Sequence, residues 1–278
     1  RHDAPARLNV TSTATWLVSN RDQIDLRYSG HRNDLGADSG IPLQTLADGA
    51  RVIPHIPRNR RFNTPDDFAR STDHNLRAAY TRPVTDTLTL RTVLSRRVYD
   101  DDYWVAETLE ADASNAVYRE FLYFKHERRP WFAQVELNGI VRAGFDHDLL
   151  VGWEHQNYHT RTARSDDASR ATTPIDLFDP VETHVNWTSF PVSRYDHTRL
   201  LTHAAYVQDR IGLTRHVTAV GGIRFDQLTR HTNRNPVIDG IETPVAPDRR
   251  RSSAVSYRTG VVYQPTAAVD IFVLHGTA

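Results

Sequence analysis

Apolar and polar residues alternate with period two over long stretches of this chain, and that periodicity limits its fold more than any other feature. Successive side chains of a strand point to opposite faces, so strict alternation marks a wall with one face in an apolar phase and the other in polar surroundings. The clearest case is His216 to Arg230, where Val217, Ala219, Gly221, Ile223 and Phe225 share one face and Arg224 and Asp226 the other. Val255, Tyr257, Thr259, Val261 and Tyr263 alternate in the same way with Ser256, Arg258, Gly260 and Gln264. Leu149, Val151 and Trp153 oppose Gly152, Glu154 and Gln156, and Val135, Leu137, Gly139 and Val141 oppose Gln134, Glu136 and Asn138. Helical periodicity is scarce.

The connections narrow the class further. Strands are expected at Leu8 to Val18, Gln23 to Arg32, Asp73 to Arg82, Thr87 to Tyr99, Asp148 to Thr160, His197 to Ile211, His216 to Arg230, Arg251 to Gln264 and Val269 to Leu274. Tight turns at Ser19 to Asp22, Pro83 to Asp86, Gly144 to His147, Gly212 to Arg215 and Pro265 to Ala268 alternate with long loops at Asn33 to Ser71, Asp100 to Ala116, Arg161 to Asp196 and Thr232 to Arg250. Short turns on one rim and long loops on the other are the habit of outer-membrane barrels. The alternation is kept if Val117 to Arg142 is one long strand bent near Pro130, which makes ten strands. Soluble sandwiches and propellers fit strands of this length poorly.

Composition agrees. The mean hydropathy of −0.56 suits a barrel, in which only alternate residues across the membrane band need be apolar. No apolar run approaches the roughly 20 residues of a spanning helix. Lys+Arg and Asp+Glu both number 34, which gives no net basic field for nucleic acid. Lys125 is the only lysine, so the positive charge is carried by Arg spread along the chain. Cysteine is absent, which excludes disulfides, thiolate metal sites and a cysteine nucleophile. The chain begins at Arg1 and has no Met, so a fragment or a processed form is expected.

Four stretches carry a resemblance. Tyr206-Val207-Gln208-Asp209 with Gly221-Gly222-Ile223-Arg224-Phe225-Asp226, and Gly260-Val261-Val262-Tyr263-Gln264-Pro265-Thr266 with Val269 to Gly276, resemble two hairpins of the TonB-dependent siderophore receptors. Leu137-Asn138-Gly139 through His147-Asp148-Leu149-Leu150-Val151-Gly152-Trp153-Glu154 resembles a third, and Pro174 to Pro180 (PIDLFDP) is similar to a loop motif of that family. The resemblance implies an all-β fold in which residues 1–278 form part of a transmembrane antiparallel β-barrel, about ten strands of an expected 22, with the plug domain lying outside the chain. It also implies an outer-membrane receptor for TonB-dependent uptake of ferric siderophores, iron being carried by the chelate rather than by a protein cofactor. The TonB energy-transducing complex would engage an N-terminal region outside this chain, and outer-membrane lipid would surround the barrel. A passive porin, and a receptor for cobalamin or glycan, are the other readings; an outer-membrane enzyme would need a clustered catalytic set at the outer rim. The loop motif continues here as Val181-Glu182-Thr183-His184 where the family usually has Tyr and Gly, so the resemblance assigns no particular cargo.

Candidate chemistry is sparse. His155 and His159 have the spacing that binds zinc on a helix, but on a strand they stand about 13 Å apart and cannot share an ion. No nucleophile elbow accompanies the Ser, His and Asp residues. Glu154, Arg224, Asp226 and Arg258 are expected on a hydrated inner wall, and Trp16, Trp153, Tyr257 and Tyr263 in an interfacial aromatic girdle. Ligand contacts are expected from outer-loop groups: Arg58, Arg60 and Arg61, Tyr103 and Trp104, and Trp187. Aromatics cover chelate surface, and Arg pairs with anionic oxygens.

Overall fold

A computed structural model describes residues 6–37, 40–165, 174–181 and 183–277. Its long strands are β1 (Ala6–Leu17), β2 (Gln23–Leu35), β5 (Phe68–Pro83), β6 (Leu88–Ala111), β7 (Ala116–Arg128), β8 (Trp131–Ala143), β9 (Phe145–Ser165), β11 (Arg194–Gly212), β12 (Val217–Ile238), β14 (Asp248–Thr266) and β15 (Val269–Gly276). The short pieces β3 (Gln44–Thr45), β4 (Arg51–Val52), β10 (Ile175–Asp176) and β13 (Ile241–Glu242) belong to the long-loop end. All long neighbours are antiparallel, in the order β1-β2-β5-β6-β7-β9-β11-β12-β14-β15.

β7 and β8 act as the single bent strand that the alternation requires. β8 pairs with the first part of β6 and with β9 up to Asn157, and β7 pairs with the later parts of both. Proline has no N–H to give the ladder, so Pro130 contributes only its carbonyl, which accepts the Arg97 N–H at 3.0 Å, and the strand is interrupted there. The gap is bridged by Arg129, whose N–H donates to the His159 carbonyl at 2.8 Å and whose guanidinium meets Asp100 at 2.6 Å and the Tyr99 carbonyl at 3.0 Å.

Three of the five short turns share one chemistry. Ser19, Thr85 and Thr214 each accept, on the side-chain oxygen, the N–H groups two and three residues on, at 3.0 to 3.3 Å. A hydroxyl thereby satisfies backbone donors that the hairpin leaves unpaired. The turn expected at Gly144 to His147 is tighter: Ala143 and Phe145 already pair, with Gly144 at φ +81° between them. Gly139 sits at φ +142°, where a Cβ would come within 1.9 Å of the Thr87 carbonyl, so only glycine lets β6 begin beside it.

The opposite rim differs from expectation at all four long loops, Asn33 to Ser71 being trimmed at both ends by β2 and β5. Asp100 to Ala116 is mostly strand, since β6 runs to Ala111 and the hairpin turns at Asp112 to Asn115, with Asn115 left-handed at φ 68° and Asp112 accepting the Ser114 and Ala116 N–H groups. Thr232 to Arg250 is shortened by β12, which turns back to β13 through Asp239 and Gly240 at φ 50° and 78°. This Asp-Gly pair is a hairpin signal that the apolar pattern does not show. The loop Arg161 to Asp196 loses both ends to β9 and β11.

Cross-strand register defines two faces. One carries Leu26, Leu76, Leu94, Val135, Val151, Trp153, Val207, Ile223, Phe225, Val255 and Val261, each 38 to 58% exposed. The other carries Arg27, Arg77, Gln134, Glu154, Tyr206, Arg224 and Ser256. An apolar face left uncovered at this scale belongs to a wall with an apolar phase outside it. Among the described residues no helix is long and apolar enough to cross a membrane.

Beyond Trp104 and Tyr123 the β6–β7 hairpin stands taller than its neighbours β5 and β9. Its packing lies on the face continuous with the apolar one. Phe62, Ala111, Val117 and Leu177 form a small buried core with Ile56 and Ile175, joined to the hairpin through β3 and β10. The motif Pro174 to Pro180 thus pins a loop, with Leu177 fully buried.

Candidate functional site

The polar face divides into two levels. Lower down, between the short turns and the tall hairpin, Arg224 is held by Glu154 at 2.8 Å and by Asp226 at 3.0 Å. Tyr206 donates to Glu136 at 2.7 Å and lies beside the Arg224 guanidinium at 5.3 Å, and Gln134 reaches Glu136, Glu154 and Tyr206 at 3.0 to 3.1 Å. Arg258 reaches Gln208. The four wall residues expected from sequence are therefore on the polar face. Glu154, Arg224 and Asp226 are joined with Gln134, Glu136 and Tyr206 into one network across β8, β9, β11 and β12, in which a single guanidinium serves three carboxylates, while Arg258 on β14 stands apart on Gln208.

The upper level is richer in recognition groups. Asp73 receives a two-pronged contact from Arg97 at 2.7 and 2.8 Å, with His31 at 3.6 Å. The guanidinium groups of Arg97 and Arg128 lie over the Tyr99 ring at 5.2 and 5.0 Å. Above them Tyr103 stacks on Phe124 at 5.1 Å, His126 stacks on Phe124 at 5.9 Å, and the Arg164 guanidinium covers Phe124 at 4.5 Å. Burial raises the Asp101 carboxyl above its ordinary value against the pull of His126 and Arg128, and lowers His126 below its own. Asp101 lies 4.0 Å from Arg128, yet one of its buried oxygens has no hydrogen bond. Aromatic faces, cations and an unsatisfied acceptor thus share one half-buried wall, which can cover an aromatic or anionic solute of modest size.

The six expected ligand residues do not converge. Tyr103 belongs to this wall. Trp104, fully buried, leaves β6 on the opposite face and stacks on Phe121 at 5.2 Å beneath Phe190. Trp187, in a single 3-10 turn (Trp187–Ser189), stacks on Tyr123 at 5.8 Å and meets Phe68 edge-on at 5.4 Å. Arg60 donates to the Phe178 carbonyl at 2.5 Å, tying two loops together, while Arg58 and Arg61 are exposed. Sequence reasoning missed Arg97, Tyr99, Phe124, His126, Arg128 and Arg164. The available signal was parity: continuing the odd positions of β6 past Tyr99 places Tyr103 beside the partners of β7.

The aromatics Trp16, Trp153, Tyr257 and Tyr263 all lie on the apolar face, 42 to 63% exposed. His155 meets His203 there, with 3.2 Å between their Nδ1 atoms, rather than His159.

An antiparallel wall with these two faces, this one-sided turn pattern and strands of this length is a transmembrane β-barrel wall. The profile of the family described as TonB dependent receptor-like, beta-barrel, matches residues 13–277, and the chain belongs to that family. No curated protein matches the chain. Among solved structures it is similar to the ferric-catecholate import receptor Fiu of E. coli K12 in its open form, with a TM-score of 0.84 at 15% identity over 98% of this chain and 46% of that one. It is also similar to the siderophore receptor PiuA of Acinetobacter baumannii, with a TM-score of 0.77 at 16% identity over 97% and 41% of the two chains. The ferripyoverdine receptor of the Pseudomonas aeruginosa outer membrane gives 0.80 at 13% identity over 97% and 35%. The chain spans less than half the length of each. In this family fold the apolar face is the lipid side and the polar face the lumen side.

Proposed function

We propose that the whole protein is an outer-membrane receptor that takes up ferric siderophores in a TonB-dependent manner, and that this chain supplies nearly half of its barrel wall. The family supports the transport class, and the receptors with similar folds are named for ferric chelates or for a siderophore. The observation that carries the cargo assignment is the lumen-facing upper wall, where Tyr103 and Phe124 stack at 5.1 Å with Arg164 over the same ring. Aromatic surface against the organic shell of a chelate and guanidinium against its anionic oxygens are the contacts that dominate such interfaces. Tyr103 contacts the chelate; Arg58 and Arg61, exposed on the loop at residues 36–67, meet it first; Arg60, Trp104 and Trp187 hold the rim that presents them. Iron arrives as cargo inside the chelate. The TonB complex engages the protein through a region outside this chain.

The test is binding and uptake of radioactive ferric siderophores by cells expressing the full-length receptor at matched surface levels. Tyr103→Ala combined with Arg164→Gln should weaken binding at least tenfold. Unchanged binding in that variant, and after shortening the segments that join β2 to β5 and β9 to β11, would leave a passive channel as the better account.

A further inference from the structure

On the lipid side of the wall two imidazoles meet at the end of the apolar band. The register sets His155 of β9 opposite His203 of β11, with Gln227 of β12 and Ser253 of β14 in the same row. The row beneath is Trp153, Ala205, Phe225 and Val255, so across these four strands the histidines stand in the first polar row beyond those apolar side chains. Their Nδ1 atoms face each other at 3.2 Å, with ring centres 4.4 Å apart. His155 is only 8% exposed, and two indoles fix its ring: Trp131 lies 4.5 Å away, and Trp153 stacks on it at 6.0 Å, 11° from parallel. Trp131 is itself held, its indole N–H donating to the Asn157 amide oxygen at 3.1 Å, and the same oxygen accepts from the Arg199 guanidinium at 3.2 Å. His203 is exposed, so the pair can be reached from outside the wall. Gln227, across from His203, has no hydrogen bond among the described residues.

We infer that His155 and His203 form a binding site for a divalent transition-metal ion of the class that imidazole nitrogen prefers, linking β9 to β11 from the lipid side. Along β9, His159 stands too far off to share an ion with His155; across the ladder, His203 does not. Zinc binds imidazole nitrogen at about 2.0 to 2.1 Å, which at a tetrahedral angle separates two ligand nitrogens by about 3.3 Å. The observed 3.2 Å therefore admits an ion with only small movements of the rings. Metal ligation takes the neutral ring with one bare nitrogen, and Nδ1 is the atom that each ring turns toward the other. Histidines that hold metals are oriented by groups around them, a part that Trp153 and the Trp131–Asn157 pair play for His155. Arg199, a cation two rows above His203, has its guanidinium turned to Asn157. Two protein nitrogens leave the remaining positions to water and to the Gln227 amide oxygen, so the affinity should be modest beside that of a site closed by four protein ligands.

The experiment uses the full-length receptor, purified without a histidine tag in phosphatidylcholine nanodiscs, with insertion verified by heat-modifiable migration. Copper(II) is the probe, since it binds nitrogen sites most tightly of the first-row dications and reports its ligands by electron paramagnetic resonance. Wild type should take up copper with a dissociation constant below about 10 µM and show hyperfine splitting from two imidazole nitrogens. Tryptophan emission should fall in step, because Trp131 and Trp153 lie beside the site. His203→Ala and His155→Ala should each bind at least tenfold more weakly and lose the two-nitrogen signal, while His159→Ala with His231→Ala stays within twofold of wild type. If His155→Ala does not insert, the exposed His203→Ala decides alone. Full retention in His203→Ala, or a loss in the His159 and His231 variant instead, would overturn the site. An absence of copper binding below about 100 µM would also overturn it and leave a pair that shares a proton. Displacement of copper by about 10 mM calcium, which takes oxygen ligands, would overturn the imidazole assignment. Ferric chelate uptake by His203→Ala should stay within twofold of wild type, so the uptake reading and this site can fail independently.

Discussion

Tyr103 and Trp104 are consecutive in the chain and stand on opposite sides of the barrel wall. Tyr103 stacks on Phe124 at 5.1 Å on the lumen side, while Trp104 is sealed between Phe121 and Phe190 on the other. Their substitutions should therefore separate. Trp104→Ala empties a fully buried aromatic site and should cost about 3 to 5 kcal/mol, loosening the loop that carries Trp187 and Phe190. Tyr103→Ala should cost under about 1.5 kcal/mol yet weaken ferric chelate binding more. Denaturant unfolding in detergent, with binding measured on the same samples, checks this; parallel losses in both variants would mean that the two residues act as one unit.

How far the sequence can be read follows from where lipid stops. Between Trp153 and Leu149, or Phe225 and Val217, one face meets hydrocarbon, and period two appears because only there do the two faces differ. Higher up both faces are wet, so β6 continues through Asp100-Asp101-Asp102 and β14 begins at Asp248-Arg249-Arg250 with no alternation to mark them. These stretches look like loops and are strands. The ten-strand order, the bend at Pro130 and the side of every short turn were legible, since turn chemistry and the apolar band are local. The upper wall was not, because Tyr103, Phe124 and Arg164 come together only through register between β6, β7 and β9.

Gly152 shows the same dependence on register. A Cβ there would fall 2.2 Å from the Tyr206 ring, whereas at Gly221 it would meet open space. Tyr206 covers Gly152 and reaches Glu136 from that position. Gly152→Ala should displace the ring, break the bond to Glu136 and cost about 1 to 3 kcal/mol. Gly221→Ala should be neutral within about 0.5 kcal/mol. Urea unfolding of the two variants, with the environment of Tyr206 read by ultraviolet resonance Raman, distinguishes them; equal effects would contradict the contact.

The two faces of β14 give a sharper test. Val261, 47% exposed on the lipid side, opposes Ala219, and Val262 opposes Thr218 on the lumen side. An Arg near mid-membrane on the lipid face costs about 2 to 4 kcal/mol, so Val261→Arg should show that loss while Val262→Thr shows little. Folding into lipid vesicles across a denaturant series measures both. Similar sensitivity at the two positions would displace the register by one residue.

The last expectation concerns acid. Glu242, on β13, accepts from Asn235 at 2.7 Å and Arg161 at 3.0 Å and meets His197 at 2.6 Å, pinning the β12–β13 hairpin against β9 and β11. Burial alone would raise its carboxyl, but these three contacts more than reverse that and hold it at about 2, below the 4.5 of the free side chain. Because the folded value is the lower one, the stability that this latch contributes is present above about pH 4.5 and is lost as the pH falls from 4.5 toward 2. Hydrogen exchange at residues 236–247 should therefore accelerate over that window in the native protein. Glu242→Gln cannot carry the charge, so its exchange should already be fast at pH 7 and should not change across the window beyond the intrinsic pH dependence of amide exchange. An identical pH profile in the two proteins would assign the acid response to another group.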